Sequence, residues 1–279
     1  FCGDGVDLEA FDRLIECQIQ GGTDAIVVCG TTGEAATLSY DERMALIERC
    51  VRTVDRRVPV IAGSGTNSTA SSIALSKAAQ SAGVDALLTV TPYYNKANQA
   101  GLVAHYAAIT AAVPLPLLAY HVPGRTGCRL TPETCLTLSR MEQIVGLKDA
   151  TGDAAFTARV AALCGDALPL YAGCDDCILP VLALGGRGAV SVASNLYPDT
   201  VTALCRAYRA GDTAQARRLQ ADLLPLCEAL FADVNPIPVK AALAGLGLCR
   251  DVLRLPLTPA GEDVRRRVRD ATQKAGRPV

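Results

Sequence analysis

The sequence predicts a parallel α/β fold of the (β/α)8 TIM-barrel type, followed by a helical C-terminal region. Up to about residue 195, short apolar runs bounded by turn residues alternate with helical patterns at intervals of roughly 25–30 residues. The composition does not change along this stretch. Beyond it the apolar runs stop and only helical patterns follow. We therefore predict a barrel domain at residues 1–195 and a C-terminal helical region at residues 196–279.

The helices have clear start signals. The first is predicted over residues 7–20, where apolar residues recur at helical spacing and Asp7 can act as the N-cap. The second begins at Ser39, which forms a capping box with Glu42. Further helices are predicted at residues 68–82, 99–112, from 131, 153–164 and 175–184, and in the C-terminal region at 198–210, 212–232, 236–246 and 258–275.

Seven strands are predicted between these helices. Continuous apolar runs bounded by turn residues are typical of strands buried on both faces of a parallel sheet, and they lie at 24–29, 58–62, 85–90, 117–120, 143–148, 168–172 and 188–192. An eight-stranded barrel needs one strand more, but Phe1 is followed directly by the first helix. We expect the first strand either to precede Phe1 in the native protein or to be missing, which would leave an open sheet edge and poor folding.

Composition excludes several classes of function. Half of the 279 residues are hydrophobic and the formal net charge is −1, so no cationic excess exists to hold nucleic acid or a membrane surface. No apolar run approaches the ~20 residues that span a bilayer. The twelve cysteines are scattered through apolar segments, and we expect reduced thiols in a cytoplasmic protein. A metal site is not expected. Cys174 and Cys177 form a single C-x-x-C pair, and a zinc site would need a second pair or two well-placed histidines. The two histidines are His105, predicted on a helix surface, and His121, at a strand end.

Lys148 is the strongest candidate for chemistry. It ends a predicted strand and is followed at once by a polar turn, and the C-terminal ends of parallel strands carry the active sites of barrel enzymes. Burial against apolar walls lowers the pKa of an ammonium, and the free amine attacks a carbonyl carbon to form a Schiff base. Only five of the 27 cationic residues are lysines, and arginine could not replace one in this role because it does not deprotonate. The alternative is a lysine that leaves the strand to reach water.

Other strand ends add phenols, hydroxyls and one guanidinium to the same predicted face, from Thr31, Thr32, Tyr93, Tyr94, Tyr120 and Arg125. Gly173 also follows a strand and lies on this face. Such groups suit proton transfer around an imine and the binding of a carboxylate. Thr31 and Thr32 precede a helix between two glycines, where backbone N–H groups either bind an anion or form a plain turn. Tyr120 is either a core aromatic residue or an acid/base partner of Lys148.

Five segments resemble the dihydrodipicolinate synthase family in order and spacing, and the resemblance covers essentially the whole chain from residue 6. They are GTTGE at 30–34, TPYYN at 91–95, YHVPGRTG at 120–127, GLKDATG at 146–152 and NPIPVK at 235–240. The lysine and the GTTGE segment are shared with the wider class of pyruvate-dependent class I aldolases, such as N-acetylneuraminate lyase. The segment around Arg125 is the more specific one.

The resemblance implies a Schiff-base condensation of pyruvate with L-aspartate 4-semialdehyde, which gives 4-hydroxy-tetrahydrodipicolinate in lysine and diaminopimelate biosynthesis. No cofactor is implied beyond the covalent pyruvate imine on Lys148. A related pyruvate lyase or keto-sugar-acid aldolase is the alternative, and Arg125 argues against it. A non-catalytic barrel is the remote alternative, because it would not need an amine, two phenols and a guanidinium on one face.

The resemblance also implies individual roles. Thr31 and Thr32 would hold the pyruvate carboxylate and Arg125 that of the semialdehyde. Tyr120, Thr31 and Tyr94 would form a proton relay, with Tyr94 donated by a neighbouring subunit of a homotetramer built as a dimer of dimers. The pyruvate pocket would be lined through the backbone groups of Gly173 and Val190.

Feedback regulation is expected to be weak. Lysine-inhibited members of the family bind lysine between subunits with histidines and a glutamate. The matching positions here are Tyr40, Arg43 and Ser71, while Asn67 and Tyr93 remain. Loss of the carboxylate and gain of a guanidinium should weaken lysine binding by a few kcal/mol.

Overall fold

The computed structural model describes residues 1–3 and 5–274. The helices, in chain order, are α1 (Leu8–Gln20), α2 (Tyr40–Val54), α3 (Thr69–Ser81), α4 (Gln99–Ala112), α5 (Pro123–Thr126), α6 (Pro132–Leu138), α7 (Ala154–Cys164), α8 (Ile178–Ala183), α9 (Pro198–Arg209), α10 (Thr213–Leu230), α11 (Ile237–Gly245) and α12 (Glu262–Lys274). The strands are β1 (Ile26–Val28), β2 (Val60–Gly63), β3 (Ala86–Val90), β4 (Leu117–His121), β5 (Ile144–Asp149), β6 (Leu170–Ala172) and β7 (Gly188–Ala189). All seven predicted strands and the long predicted helices are therefore present.

The described residues divide into two compact units. One comprises Phe1–Val58 together with the residues from Ser191 onward, and the other comprises Pro59–Val190. The predicted boundary between a barrel domain and a helical region at residue 195 remains a prediction.

In the first unit, the helix starts follow from their capping residues. The Asp7 carboxylate accepts the N–H of Ala10 at 3.0 Å, and α1 begins directly after it. Ser39 and Glu42 form the predicted capping box at the start of α2. Glu42 also accepts two hydrogen bonds from the Arg254 guanidinium, which lowers the pKa of that carboxyl to about 2. The C-terminal part of this unit is thereby attached to the start of α2.

In the second unit, β2 to β7 pair in parallel, each with the next strand along the chain. The register places Tyr120 of β4 beside Lys148 of β5, and Lys148 beside Tyr171 of β6. Parallel pairing in chain order brings all six C-terminal strand ends to one edge of the sheet. The polar residues that follow β4, β5 and β6 therefore collect at that edge.

The prediction that His105 lies on a helix surface is wrong. Its ring is 4% exposed, and its Nδ1 shares a hydrogen bond with the Thr69 hydroxyl at 2.9 Å. The buried side of α4 is formed by Leu102, His105, Tyr106 and Ile109, which recur at the spacing of an apolar helix face. His105 occupies a core position on this helix.

No helix among the described residues is both long enough and apolar enough to span a bilayer. Ahead of α1, Cys2 and Gly5 pair in a single antiparallel bridge.

Candidate active site

Lys148 occupies the predicted position near the C-terminal end of β5. Its Nζ lies 4.2 Å from the centroid of the Tyr120 ring. Burial lowers the pKa of this amine to about 8, the negative charge of Asp175 opposes that shift, and the positive charge of Arg125 adds to it. About a tenth of the side chains are thus neutral at pH 7. A partly deprotonated amine beside a phenol can form an imine with a carbonyl compound.

Gly173 leaves the space that the Lys148 side chain occupies. A Cβ atom at this position would lie 3.1 Å from Lys148 Cε and 2.7 Å from Ala150 Cβ. The Gly173 N–H donates to the Asp149 carbonyl at 2.7 Å, and the Val190 N–H donates to the Ala172 carbonyl at 2.8 Å. Their carbonyl oxygens are consequently the backbone groups that could face a ligand.

The loop after β4 carries Arg125. The side chain of Tyr120 is 6% exposed at the end of this strand, whereas Arg125 follows in the one-turn helix α5 and is exposed. Arg125 is close enough to Lys148 to influence its pKa. The second unit therefore brings together Lys148, Tyr120, Arg125 and Gly173, as the sequence predicted.

Tyr94 is placed differently. Its side chain is 89% exposed, so its phenol does not join the buried groups around Lys148 in a single chain. Its φ is +74°, a left-handed conformation that is unusual for a tyrosine, and its N–H donates to the Thr126 carbonyl at 3.1 Å. The backbone thus holds this tyrosine in an outward-facing position.

In the first unit, the turn that follows β1 carries Thr31 and Thr32. The Asn235 side chain donates from Nδ2 to Thr32 Oγ1 at 3.0 Å. Two residues after Thr32, Glu34 forms an ion pair with Lys240. The turn is therefore connected to the start of α11 at two points.

No role was predicted for Asn235 or Lys240, although both lie in the NPIPVK segment that resembles the family. Lys240 is 7% exposed, and its Nζ lies 4.5 Å from the centroid of the Phe1 ring. The Arg254 guanidinium lies 4.1 Å from the centroid of the same ring. The resemblance of this segment to the family was the signal that it matters, but the sequence alone did not name the partners of these side chains.

The residues predicted at the lysine-binding positions lie near element starts. In the first unit, Tyr40 begins α2 and is 58% exposed, while the Arg43 guanidinium donates to the Ala35 carbonyl at 2.7 Å. In the second unit, these positions are Asn67, Ser71 in the first turn of α3, and Tyr93, which is 40% exposed.

The cysteines and the potential metal ligands form no second site within the part of the chain that the structure describes. Among residues 1–3 and 5–274, no group of three or more His, Cys, Asp or Glu side chains could hold a metal ion. The twelve cysteines are free thiols. Burial raises the pKa of Cys174 to about 11 and that of Cys177 to about 12, so both stay protonated at neutral pH.

Known proteins place these features in one family. A model of the dihydrodipicolinate synthetase family matches residues 3–275. The chain belongs to this family. The 4-hydroxy-tetrahydrodipicolinate synthase of Geobacter metallireducens is 49% identical over 256 residues, which cover 92% of this chain and 88% of that protein.

Solved structures of family members agree. The dihydrodipicolinate synthase of Thermotoga maritima is 40% identical, with a TM-score of 0.97 over 99% of this chain and 95% of that one. The chloride-inhibited enzyme of Acinetobacter baumannii, solved in complex with pyruvate, is 44% identical, with a TM-score of 0.95 over 98% of this chain and 94% of that one. The predicted family and the predicted fold class, a TIM-barrel type of α/β fold with C-terminal helices, are confirmed.

Proposed function

We propose that this protein is a 4-hydroxy-tetrahydrodipicolinate synthase, a lyase of lysine and diaminopimelate biosynthesis. It condenses pyruvate with L-aspartate 4-semialdehyde through a Schiff base. The observation that carries the proposal is the desolvated amine of Lys148, which lies over the Tyr120 ring in a chain that belongs to this family. The names of its close relatives agree with it.

Lys148 performs the covalent steps. Its neutral amine attacks the keto carbon of pyruvate, and loss of water gives an imine. A methyl proton leaves to give an enamine, which adds to the aldehyde carbon of the semialdehyde. The amino group of this adduct then attacks the imine carbon and releases the Lys148 amine, closing the ring. The phenol of Tyr120 carries protons to and from the reacting atoms.

The substrate carboxylates have separate binding groups. Thr31 and Thr32 hold the carboxylate of pyruvate with N–H and hydroxyl groups. Because Asn235 donates to the Thr32 hydroxyl oxygen, the Thr32 proton is left to donate to that carboxylate. Arg125, which is exposed next to the amine, binds the carboxylate of the semialdehyde. The carbonyl groups of Gly173 and Val190 line the pyruvate pocket.

The proton relay requires a second subunit. Tyr120 passes protons through Thr31 to Tyr94 of a neighbouring chain, within a homotetramer that is a dimer of dimers. The 89% exposure of the Tyr94 side chain and its backbone conformation support a role outside its own chain. The free thiols support a cytoplasmic location.

Subunit mixing tests the relay. A Tyr94→Phe variant and a Lys148→Arg variant should each be nearly inactive, whereas their mixed oligomers should regain activity, because a chain with Lys148 then receives Tyr94 from its partner. Steady-state turnover after co-refolding would measure this. Inactive mixed oligomers would place Tyr94 outside the relay.

Borohydride reduction tests the reaction itself. Treatment with pyruvate and sodium borohydride should add one pyruvyl group, and mass mapping should find it on the peptide that contains Lys148. Turnover should be observed with aspartate semialdehyde and not with sugar-acid substrates. An adduct on another lysine, or turnover only of sugar acids, would contradict the proposal.

Lysine should inhibit weakly or not at all. The exposed Tyr40 and the Arg43 guanidinium occupy positions where inhibited family members have groups that bind lysine. A cationic side chain there repels the lysine ammonium. Initial rates measured with increasing L-lysine should fall only at high concentration, and half-inhibition below one millimolar would refute this expectation.

A further inference from the structure

His121 lies one residue after Tyr120 but belongs to a different layer of the second unit. Successive residues of a strand point to opposite faces of the sheet, so His121 points away from the face that carries Tyr120 and Lys148. The ring is fully buried, and its centroid lies 4.9 Å from that of Phe156 in α7. This imidazole cannot touch the substrates directly.

The hydrogen bond of His121 specifies its protonation state. The Leu130 N–H donates to His121 Nε2 at 3.0 Å, so Nε2 carries no proton and the ring is the neutral Nδ1–H tautomer. Burial, and secondarily the charge of Arg129, lowers the pKa of His121 to about 4. The facing carboxylate on β5 is Asp149, which already accepts from the Thr151 N–H and the Thr157 hydroxyl.

This hydrogen bond closes the loop that carries Arg125. Residues 122–130 leave β4 and return so that Leu130, itself fully buried, contacts the last residue of the same strand. In the middle of the loop, Thr126 Oγ1 donates to the Cys128 carbonyl at 3.0 Å. Removal of the acceptor would leave the buried Leu130 N–H without a partner, and a buried donor without a partner moves towards water or another acceptor.

We propose that His121 is a positioning residue, which holds the 122–130 loop closed through Leu130 and thereby places the Arg125 guanidinium for the carboxylate of the second substrate. The inference rests on the proposed function, since it takes Arg125 as the group that binds the semialdehyde. It concerns only the second half of the reaction. Imine formation with pyruvate uses Lys148, whose pKa is lowered mainly by burial and only to a lesser extent by the charge of Arg125, so it should depend little on this loop.

Two variants distinguish the role of His121 as a hydrogen-bond acceptor from the role of its ring in packing. His121→Phe keeps a flat ring beside Phe156 but removes the acceptor, and it should raise the KM for L-aspartate 4-semialdehyde roughly ten- to a hundredfold. The KM for pyruvate and the yield of the borohydride adduct should stay within about twofold of wild type. His121→Gln restores an acceptor near the position of Nε2, and it should bring the semialdehyde KM back to within about threefold of wild type.

His105→Leu is the matched control. It alters the other buried histidine, on α4, and should lower thermal stability without changing the ratio of the two KM values. If His121→Phe behaves in the same way, or raises both KM values equally, His121 is merely structural and the proposal is overturned. If the wild-type protein formed no adduct with pyruvate on borohydride reduction, the proposed function itself would be refuted.

The tautomer provides a test that needs no stable variant. The chain has only two histidines, so ¹⁵N-histidine labelling gives two ring systems, and His105→Asn assigns them. His121 should be neutral at pH 7, with its proton on Nδ1. A proton on Nε2, or a charged ring at this pH, would exclude the Leu130 hydrogen bond and overturn the proposal.

Discussion

The amines of Lys148 and Lys240 are both buried, but the charged groups around them differ. Lys148, on β5, and Lys240, on α11, each lie over an aromatic ring, at 4.2 Å from the Tyr120 centroid and 4.5 Å from the Phe1 centroid. Lys240 forms an ion pair with Glu34, whose side chain is 12% exposed. For Lys148, the field of Asp175 does not offset the cost of burial, so its pKa falls to about 8. A buried ammonium that is in direct contact with a carboxylate, as Lys240 is with Glu34, has a structural role. Where burial is not offset by such a contact, as at Lys148, the pKa of the amine falls and part of it is available as a nucleophile.

Exchange of each lysine for arginine is the strongest test of this contrast. Lys148→Arg should abolish the pyruvate adduct and reduce kcat by a factor on the order of 10⁴ or more, because a guanidinium does not form the imine. Lys240→Arg should keep kcat/KM within roughly tenfold of wild type, because arginine can still pair with Glu34. Steady-state kinetics decide the matter, and turnover by Lys148→Arg would refute the contrast.

Stability should respond in opposite directions at the two positions. Glu34→Gln leaves the Lys240 ammonium buried without its partner and should destabilise the fold by about 3–5 kcal/mol. Lys148→Met removes a desolvated cation and should stabilise it by about 1–3 kcal/mol at pH 7. Urea unfolding at pH 7 measures both. Equal losses of stability would show that the two lysines are alike.

The pH dependence sharpens the contrast further. Below its pKa, the fraction of neutral Lys148 rises about tenfold per pH unit, so the initial rate of imine formation should rise from pH 6 and level off above about pH 8. Rapid mixing with pyruvate and a borohydride quench at each pH measures this rate. Lys240→Arg should give the same profile, and a profile flat from pH 6 to 9 would mean that Lys148 is not the titrating group.

The smallest expected effect concerns the other contact of the α11 region. Asn235→Ala removes the donor to Thr32 Oγ1 and should raise the KM for pyruvate about five- to tenfold with little change in kcat, because it weakens ground-state and transition-state binding alike. Kinetics with varied pyruvate test this. An unchanged KM would limit the role of α11 to the Glu34–Lys240 pair.

Local signals in the sequence predicted much of the fold. Asp7, Ser39 and Glu42 form the expected caps because capping depends on residues within one helical turn. His105 was misplaced although its spacing from Leu102 and Tyr106 is that of a buried helix face. The prediction gave more weight to the polar character of His105 than to its spacing, yet the ring lies in the core with a hydrogen bond from Nδ1 to Thr69, and its Nε2 has no hydrogen-bond partner among the described residues.

Long-range contacts could not be derived from local patterns. Thr32 and Asn235 are 203 positions apart, and Glu34 and Lys240 are 206 apart. The order of the motifs indicated that the GTTGE and NPIPVK segments are both characteristic of the family. Which of their side chains contact one another is seen only in the folded chain. The positions of Lys148, Tyr120 and Arg125 were predictable, because each is on or directly after a parallel strand and such strand ends meet at one edge.

Gly173 has a practical consequence for directed evolution of this barrel. Even alanine would bring its methyl carbon to 3.1 Å from Lys148 Cε and 2.7 Å from Ala150 Cβ. A mutant library intended to broaden the range of aldehyde acceptors should therefore leave codon 173 unchanged and diversify exposed positions beside Arg125 such as Gly124, where an added Cβ would meet no atom within 4 Å.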